Sequence, residues 1–466
     1  MAPKSSLFGQ RRVIYVTLAG YCIVATVYCL AKELYGPFLR TLVHCDTPVD
    51  PAEPFSGSEF CGDAKYVLAS AQAQEGALVS AKLFVHGLAA PFLGSMTDTI
   101  GRKAMLMFSL AGFTCPIAFF MMISATGVTN PHVLLFCFLL AGATNAFDVV
   151  FFALLADLTP DMTDRSAALA LYGFCNSTTA MFAQLVAIGI LRLELRSYTF
   201  VWPFLIAVLA LDMVYCQRAI TETLVVKDHM AGVTLRRKLH NIVTAPIFLA
   251  TSTPFIKWSI IGSVIGGIAG SGMGPCMNAF TMTAYGWRAG DAQLYTWPAR
   301  PLDLTLMVLA PFTIGWLSSP TAFLIGVVCG QILGFLRIFC PFSWVFFVMG
   351  SYVGPFLRIP GASAAGFTSS LVAPEKQATF NAVGHLIGNV CTSISTYLYS
   401  SPLLFRPEAT GWAATKPFII CWAAGLVSLS ISLRFTLPLV REGWRQKPAS
   451  SKEEAEALRS SELHEV

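Results

Sequence analysis

Apolar stretches long enough to cross a bilayer recur along this chain about a dozen times, and no other feature narrows its fold so far. They run at about 13 to 36, 76 to 96, 104 to 126, 131 to 156, 167 to 191 and 199 to 218. A second set follows at about 256 to 285, 292 to 317, 320 to 339, 342 to 369, 379 to 401 and 414 to 439. Hydrocarbon cannot satisfy backbone N–H and C=O groups, so a span of about 20 apolar residues must close its own hydrogen bonds as a helix. The pattern predicts an all-α membrane protein of about twelve transmembrane helices in two six-helix bundles. With 55% hydrophobic and only 12% charged side chains in 466 residues, no large extramembrane domain fits beside the spans.

Between the two sets lies 219 to 250, the most polar internal stretch, with Lys227, Asp228, His229, Arg236, Arg237, Lys238 and His240. The expected organisation is an N-terminal bundle over 1-218 with an extracytosolic loop at 37-75, a cytoplasmic linker at 219-250, a C-terminal bundle over 251-440 and a cytoplasmic tail at 441-466. Short-loop Lys and Arg set the orientation. The N-terminus, Arg102 with Lys103, Arg165, Arg236 to Lys238, Lys376 and the tail from Arg441 share one side, which is predicted to be cytoplasmic. An even span count puts both termini there, in a plasma or organelle membrane.

The net charge of +5 is small for this length and forms no long basic run, which argues against a nucleic-acid partner. Of thirteen cysteines, all but Cys45 and Cys61 lie in apolar stretches and read as small buried hydrophobes. Those two share the polar first loop, where they either pair in a local disulfide or remain thiols. No metal-ligand spacing is present, so neither a metal nor another cofactor is expected.

The run Gly94-Ser95-Met96-Thr97-Asp98-Thr99-Ile100-Gly101-Arg102-Lys103, between the second and third spans, resembles the loop signature of the major facilitator superfamily. Leu155-Ala156-Asp157-Leu158-Thr159-Pro160 with Arg165 is similar to that family's exit from the fourth span, and Ala373-Pro374-Glu375-Lys376-Gln377 to its entry into the eleventh. Tyr285-Gly286-Trp287 follows the seventh span. The branches most resembled are the tetracycline-resistance-like and hippocampus-abundant-transcript-like members, with the proton-coupled folate transporter group close behind. The resemblance implies alternating access between two bundles, with Asp98 facing the helix start near Ala378 and Arg102 pairing with Asp157 to brace the outward-open state. Gly94, Asp98, Gly101, Arg102, Lys103, Asp157 and Arg165 then form a gating loop.

Departures from the family pattern bear on mechanism. Phe138 stands where many proton-driven members carry a membrane Arg, and Tyr172 to Ile190 lacks the Gly-Pro hinge of many antiporters. Thr99 replaces a basic residue, and the second loop copy is eroded to Gly315-Trp316-Leu317-Ser318-Ser319-Pro320. The missing hinge weighs against efflux antiport, and the absent Arg and eroded second loop weigh toward a non-transporting sensor or scaffold. The intact first loop and the buried charges weigh toward a carrier.

A charge at bilayer depth costs about 2.5 to 3.5 kcal/mol on insertion scales, so it normally faces a partner or a water-filled path. On that ground Lys82, His86, Asn145, Asp148, Asn278, Arg300, Asp303, Arg358, Asn381 and His385 are the substrate or proton candidates. Each has a plainer reading: Arg300 with Asp303 as a structural pair, His385 as a satisfied core histidine, and Lys82 as a snorkelling side chain. Lys32 and Glu33, near the end of the first apolar segment, read as interface anchors. The glycines from Gly262 to Gly274, ending at Pro275, suit either a bent gating helix or close packing. No nucleophile with a base points to an enzyme. The expected function is secondary active transport of a small organic solute by a monomer in lipid, proton-linked as a symporter, with Asp148 exchanging the proton.

Overall fold

The computed structural model describes residues 7–41, 64–127, 130–158, 162–192, 200–223, 254–271, 273–288, 291–317, 319–357, 377–401, 404 and 411–441, and structural statements below concern these. Cys45, Cys61, Arg358 and most of the linker and tail lie outside them. Among the described residues every regular element is helical. The first six spans are α1 (Leu7–Thr41), α2 (Ala64–Ile100), α3 (Arg102–Thr126), α4 (Pro131–Thr144) with α5 (Phe147–Leu158), α6 (Met162–Arg192) and α7 (Val201–Ala219). The second six are α8 (Pro254–Gly270) with α9 (Met273–Tyr285), α10 (Asp291–Thr296) with α11 (Ala299–Leu317), α12 (Ser319–Ile338), α13 (Trp344–Val353), α14 (Gln377–Ser400) and α15 (Lys416–Arg441). Eight of these stretches are long and apolar enough to cross a membrane, by length and composition.

The chain inverts the soluble rule. Phe136, Phe204, Leu211 and Ile332 are exposed on the outer faces, where lipid solvates them, while polar groups turn inward. The N-terminal bundle is held by an aromatic core in which Tyr35, Phe38, Phe120, Phe138 and Trp202 meet with ring centroids 5.0 to 6.4 Å apart. Phe138 is 1% exposed and packs edge-on against Tyr35. Dry aromatic packing therefore fills this position.

The fourth apolar stretch, expected as one helix, is two. It breaks at Asn145 and Ala146, and Ser109 of α3 accounts for the break. Its hydroxyl donates to the Thr144 carbonyl at 2.8 Å and accepts from the Ala146 N–H at 2.9 Å, so the backbone groups freed at the gap stay satisfied in the membrane. The seventh span also divides, between α8 and α9, within the glycine run.

The two bundles meet along α2 and α14. Ser80 and Ser393 exchange hydrogen bonds, each hydroxyl donating to the other's carbonyl at 2.9 and 2.8 Å. Gln72 Nε2 donates to the Tyr399 carbonyl at 3.4 Å. Gly76 lies directly beneath Ser400, and a Cβ at Gly87 would be 3.2 Å from Asn389. Apart from the one at Gly87, these contacts lie in the half of α2 away from the loop at 94–103, and their partners lie in the C-terminal half of α14.

Candidate functional site

At the 94–103 loop the chain reverses through Gly101, whose φ of +114° and close neighbour explain the residue: a Cβ there would be 2.6 Å from a Glu222 carboxylate oxygen. A Cβ at Gly94 would be 3.3 Å from Val149 Cγ1 of α5. Arg102, 8% exposed, directs Nε to Asp157 Oδ2 at 3.2 Å and Nη1 to Thr97 Oγ1 at 3.0 Å. Glu222, just past α7, accepts from the N–H groups of Arg102 and Lys103, both at 3.0 Å, at the N-terminus of α3. Thr223 Oγ1 completes the knot by donating to Asp157 Oδ2 at 2.8 Å. The loop between the second and third spans is thus tied to the exit of the fourth and the end of the sixth. Asp98 is placed on α2 and Arg165 on α6.

Glu222 and Thr223 were not singled out from the sequence. Nothing but position marks Glu222, the first acidic residue after the sixth apolar stretch. A carboxylate on two orphan N–H groups at a positive helix end adds about 1 kcal/mol at an exposed site. Glu222→Ala is therefore expected to lower the unfolding midpoint of the detergent-solubilised protein, and Glu222→Asp to restore part of it. An unchanged midpoint would remove the cap from the account.

Deeper in, the break after α4 places Asp148 in the first turn of α5. A carboxylate there gains from the half-helix dipole. Tyr172 of α6 donates to Asp148 Oδ1 at 2.6 Å, Tyr21 of α1 lies 4.3 Å from the Tyr172 ring, and the Tyr21 hydroxyl donates to Asn176 Oδ1 at 2.9 Å. Phe147 and Phe151 close on Tyr21 at 5.5 and 5.2 Å. Asn145, beside the break, approaches His86 Nδ1 at 3.3 Å. His86 is in electrostatic reach of Asp148, Lys82 and His385. Asp148 and His385 have accessible surface although they lie within spans, so this surface lines a polar space between the bundles.

The structure brings His86, Asn145, Asp148 and His385 together, while Lys82, one turn before His86, turns into the N-terminal bundle. Lys82 is 5% exposed, with its ammonium 4.5 Å from the Tyr28 ring and 5.4 Å from the Phe113 ring. That cage accounts for its charge inside the N-terminal bundle. Arg300 donates from Nε to Gln184 Oε1 at 2.8 Å, joining α11 to α6, and Asp303 is 4% exposed one turn on. Asn278 is placed on α9 and Asn381 on α14.

Lys32 and Glu33, expected to anchor the end of a span, do not end one, because α1 continues to Thr41. Glu33 instead accepts from Gln293 Nε2 of α10 at 3.0 Å, a bond between bundles. Glu75 of α2 seats its carboxylate on Gly36 of α1, where any Cβ would overlap it. The sequence shows these as isolated charges; only the pairing of α1 with α2 and α10 joins them.

The Major Facilitator Superfamily family model matches residues 51–396. No curated protein matches the chain in sequence. Solved structures of similar fold include the human organic anion transporter MFSD10 (TETRAN), 15% identical, with 91% of this chain and 99% of that one covered and a TM-score of 0.65. The inward-open xylose transporter XylE from E. coli is 13% identical, covers 96% of this chain and 99% of its own, and superposes with a TM-score of 0.67. The nucleoside transporter NupG, in a mutant form, is 14% identical over 90% of this chain and 99% of its own, with a TM-score of 0.63.

Proposed function

Because the chain belongs to the major facilitator superfamily, we propose that it is a secondary active transporter that carries a small organic solute by alternating access, coupled to a proton. The observation that carries this reading is Asp148. It is an accessible carboxylate at the start of a broken helix, between the bundles, bonded among the described residues by the Tyr172 hydroxyl. A buried acid fixed in an ion pair would hold one charge state throughout. An accessible one can take up a proton on one side of the membrane and release it on the other as its surroundings change.

Alternating access is supported by where the bundles touch. With the loop at 94–103 on the cytoplasmic side, as the distribution of Lys and Arg favours, the Ser80–Ser393 seam and the Glu33–Gln293 bond close the outer half. This is an inward-facing arrangement. Among the described residues the loop knot around Arg102 ties spans of the N-terminal bundle, and we assign it to hold that bundle rigid as it rocks, with Asp98 to engage the start of α14 in the opposite state. The solutes in the names of the structural neighbours are an organic anion, a sugar and a nucleoside, which fits a small organic solute and selects none of them.

The test is uptake by purified protein in liposomes from a broad metabolite pool, with and without an acid-outside gradient. Gradient-driven accumulation is expected, and Asp148→Asn is expected to reduce it at least tenfold while leaving solute exchange across the membrane in place. Accumulation untouched in Asp148→Asn would move the coupling elsewhere. No accumulation by folded protein would favour the sensor or scaffold reading instead.

A further inference from the structure

Most charged groups in the polar space between the bundles are already engaged. Arg300 is bonded to Gln184, Glu33 to Gln293 and Asp148 to Tyr172. Lys32 and Glu75 differ. Neither makes a hydrogen bond or a salt bridge among the described residues, although Lys32 is in electrostatic reach of Glu75, Glu33 and Tyr28. Lys32 has accessible surface within the span Val13–Leu39 and lies near Glu33 of its own helix and Glu75 of α2, so that surface faces the internal space and not lipid. An ammonium has three donors to fill. Here, inside the membrane, it holds them open to whatever enters.

We propose that Lys32 binds the anionic group of the solute, and that Glu75 is the internal acid from which the solute takes it; this rests on the transport reading above. Lys32 and Gly36 are one turn apart on the same face of α1, and Glu75 occupies the notch that Gly36 leaves, so its carboxylate is fixed beside the lysine without touching it. In the empty carrier Glu33 and Glu75 together balance the lysine's charge through space. A carboxylate or phosphate on the solute forms the direct charge-assisted hydrogen bonds that Glu75 does not make, and Lys32 turns from one anion to the other. The device sets the solute class: a neutral analogue offers nothing better than Glu75 and leaves the lysine where it is. The Glu33–Gln293 bond lies on the residue next to Lys32, so the anion site adjoins a contact that joins the two bundles.

Cys29 reports on this site. It is half-buried one turn before Lys32 and in electrostatic reach of Lys32, Glu33, Arg300 and Asp148. The experiment is alkylation of Cys29 by the neutral reagent N-ethylmaleimide in the purified full-length protein, followed by peptide mass spectrometry. Benzoate, phenyl phosphate and the uncharged benzamide serve as protectants. At least one of the two anions is expected to slow labelling, with benzamide inactive, and which anion does so tells carboxylate from phosphate recognition. Lys32→Gln should abolish protection and Lys32→Arg retain it, while Glu75→Gln should lower the half-protecting concentration severalfold, because the competing acid is gone. A merely structural Glu75 would not tighten binding when replaced.

Protection by neither anion, equal protection by benzamide, or protection that survives Lys32→Gln in a monodisperse protein overturns the assignment of Lys32. Unchanged or weaker protection in Glu75→Gln overturns the exchange with Glu75. Since no step requires solute to cross a membrane, the outcome is independent of the liposome result: anion protection without uptake would leave the site standing and the transport reading fallen.

Discussion

Cysteines introduced together by Ser80→Cys and Ser393→Cys are expected to stop uptake completely on oxidation, and dithiothreitol to restore it. The two hydroxyl oxygens are 3.0 Å apart, and each also donates to the other residue's carbonyl, so the backbones of α2 and α14 are as close here as a disulfide needs. Around this point the seam is made of small residues: Gly76 under Ser400 on one side, Gly87 against Asn389 and Val390 on the other. Hydrogen bonds of this kind contribute about 1 kcal/mol each and single van der Waals contacts far less, so the seam can part and reform within a conformational balance of a few kcal/mol. A covalent bond between the bundles cannot. Each single substitution should transport normally under oxidant, which separates the crosslink from any effect on Cys391 nearby. A variant shown by mass to be fully crosslinked, and still transporting at the wild-type rate, would mean that the seam does not open during the cycle.

How much of this was legible in the sequence depended on whether the determinant was local. Twelve spans and the six-plus-six plan follow from apolar length alone, because the bilayer leaves the backbone no other option. The turn at Gly101 and the basic pair after it could be read for the same reason: a reversal between two helices needs its conformation within a few residues. The break at Asn145 could not. The stretch from 131 to 156 is uniformly apolar around it, and the break exists because Ser109, on another helix, satisfies both freed backbone groups. Nothing at the break itself announces that partner.

The same divide runs through the polar residues. Asp148 stands out as a lone acid in an apolar run, whereas Tyr172, whose hydroxyl bonds it, and Tyr21, whose ring tilts against that of Tyr172, are ordinary aromatic residues until α1 and α6 are brought together. Lys82 looked like a charge in need of a function, and packing gives it two ring faces instead. Lys32 and Glu33 looked like interface anchors because the apolar run thins after them, but the helix goes on to Thr41 and carries them inside. Charge in a span signals that something polar is near. It does not say from which helix.

The largest loss of stability is expected from Gly142→Val. Gly142 packs α4 against α2, and a Cβ there would overlap the carbonyl of Lys82. The obstructing atom is backbone and not the end of a flexible side chain, so α2 itself must move away. That shift also opens the cage in which Lys82 is held between Tyr28 and Phe113, leaving a charge inside the bundle with weaker partners. Overpacking alone costs about 1 to 3 kcal/mol, and loosening a buried cation adds to it. Gly142→Val is therefore expected to yield little monodisperse protein, and Gly142→Ala to fold with a clearly lowered unfolding midpoint. The control is Gly189 in α6, where nothing lies within 4 Å of a new Cβ. Gly189→Ala removes backbone freedom at no steric cost and should leave the midpoint unchanged or raise it. If the two alanine variants melted together, close approach at Gly142 would not be what packs the second span against the fourth.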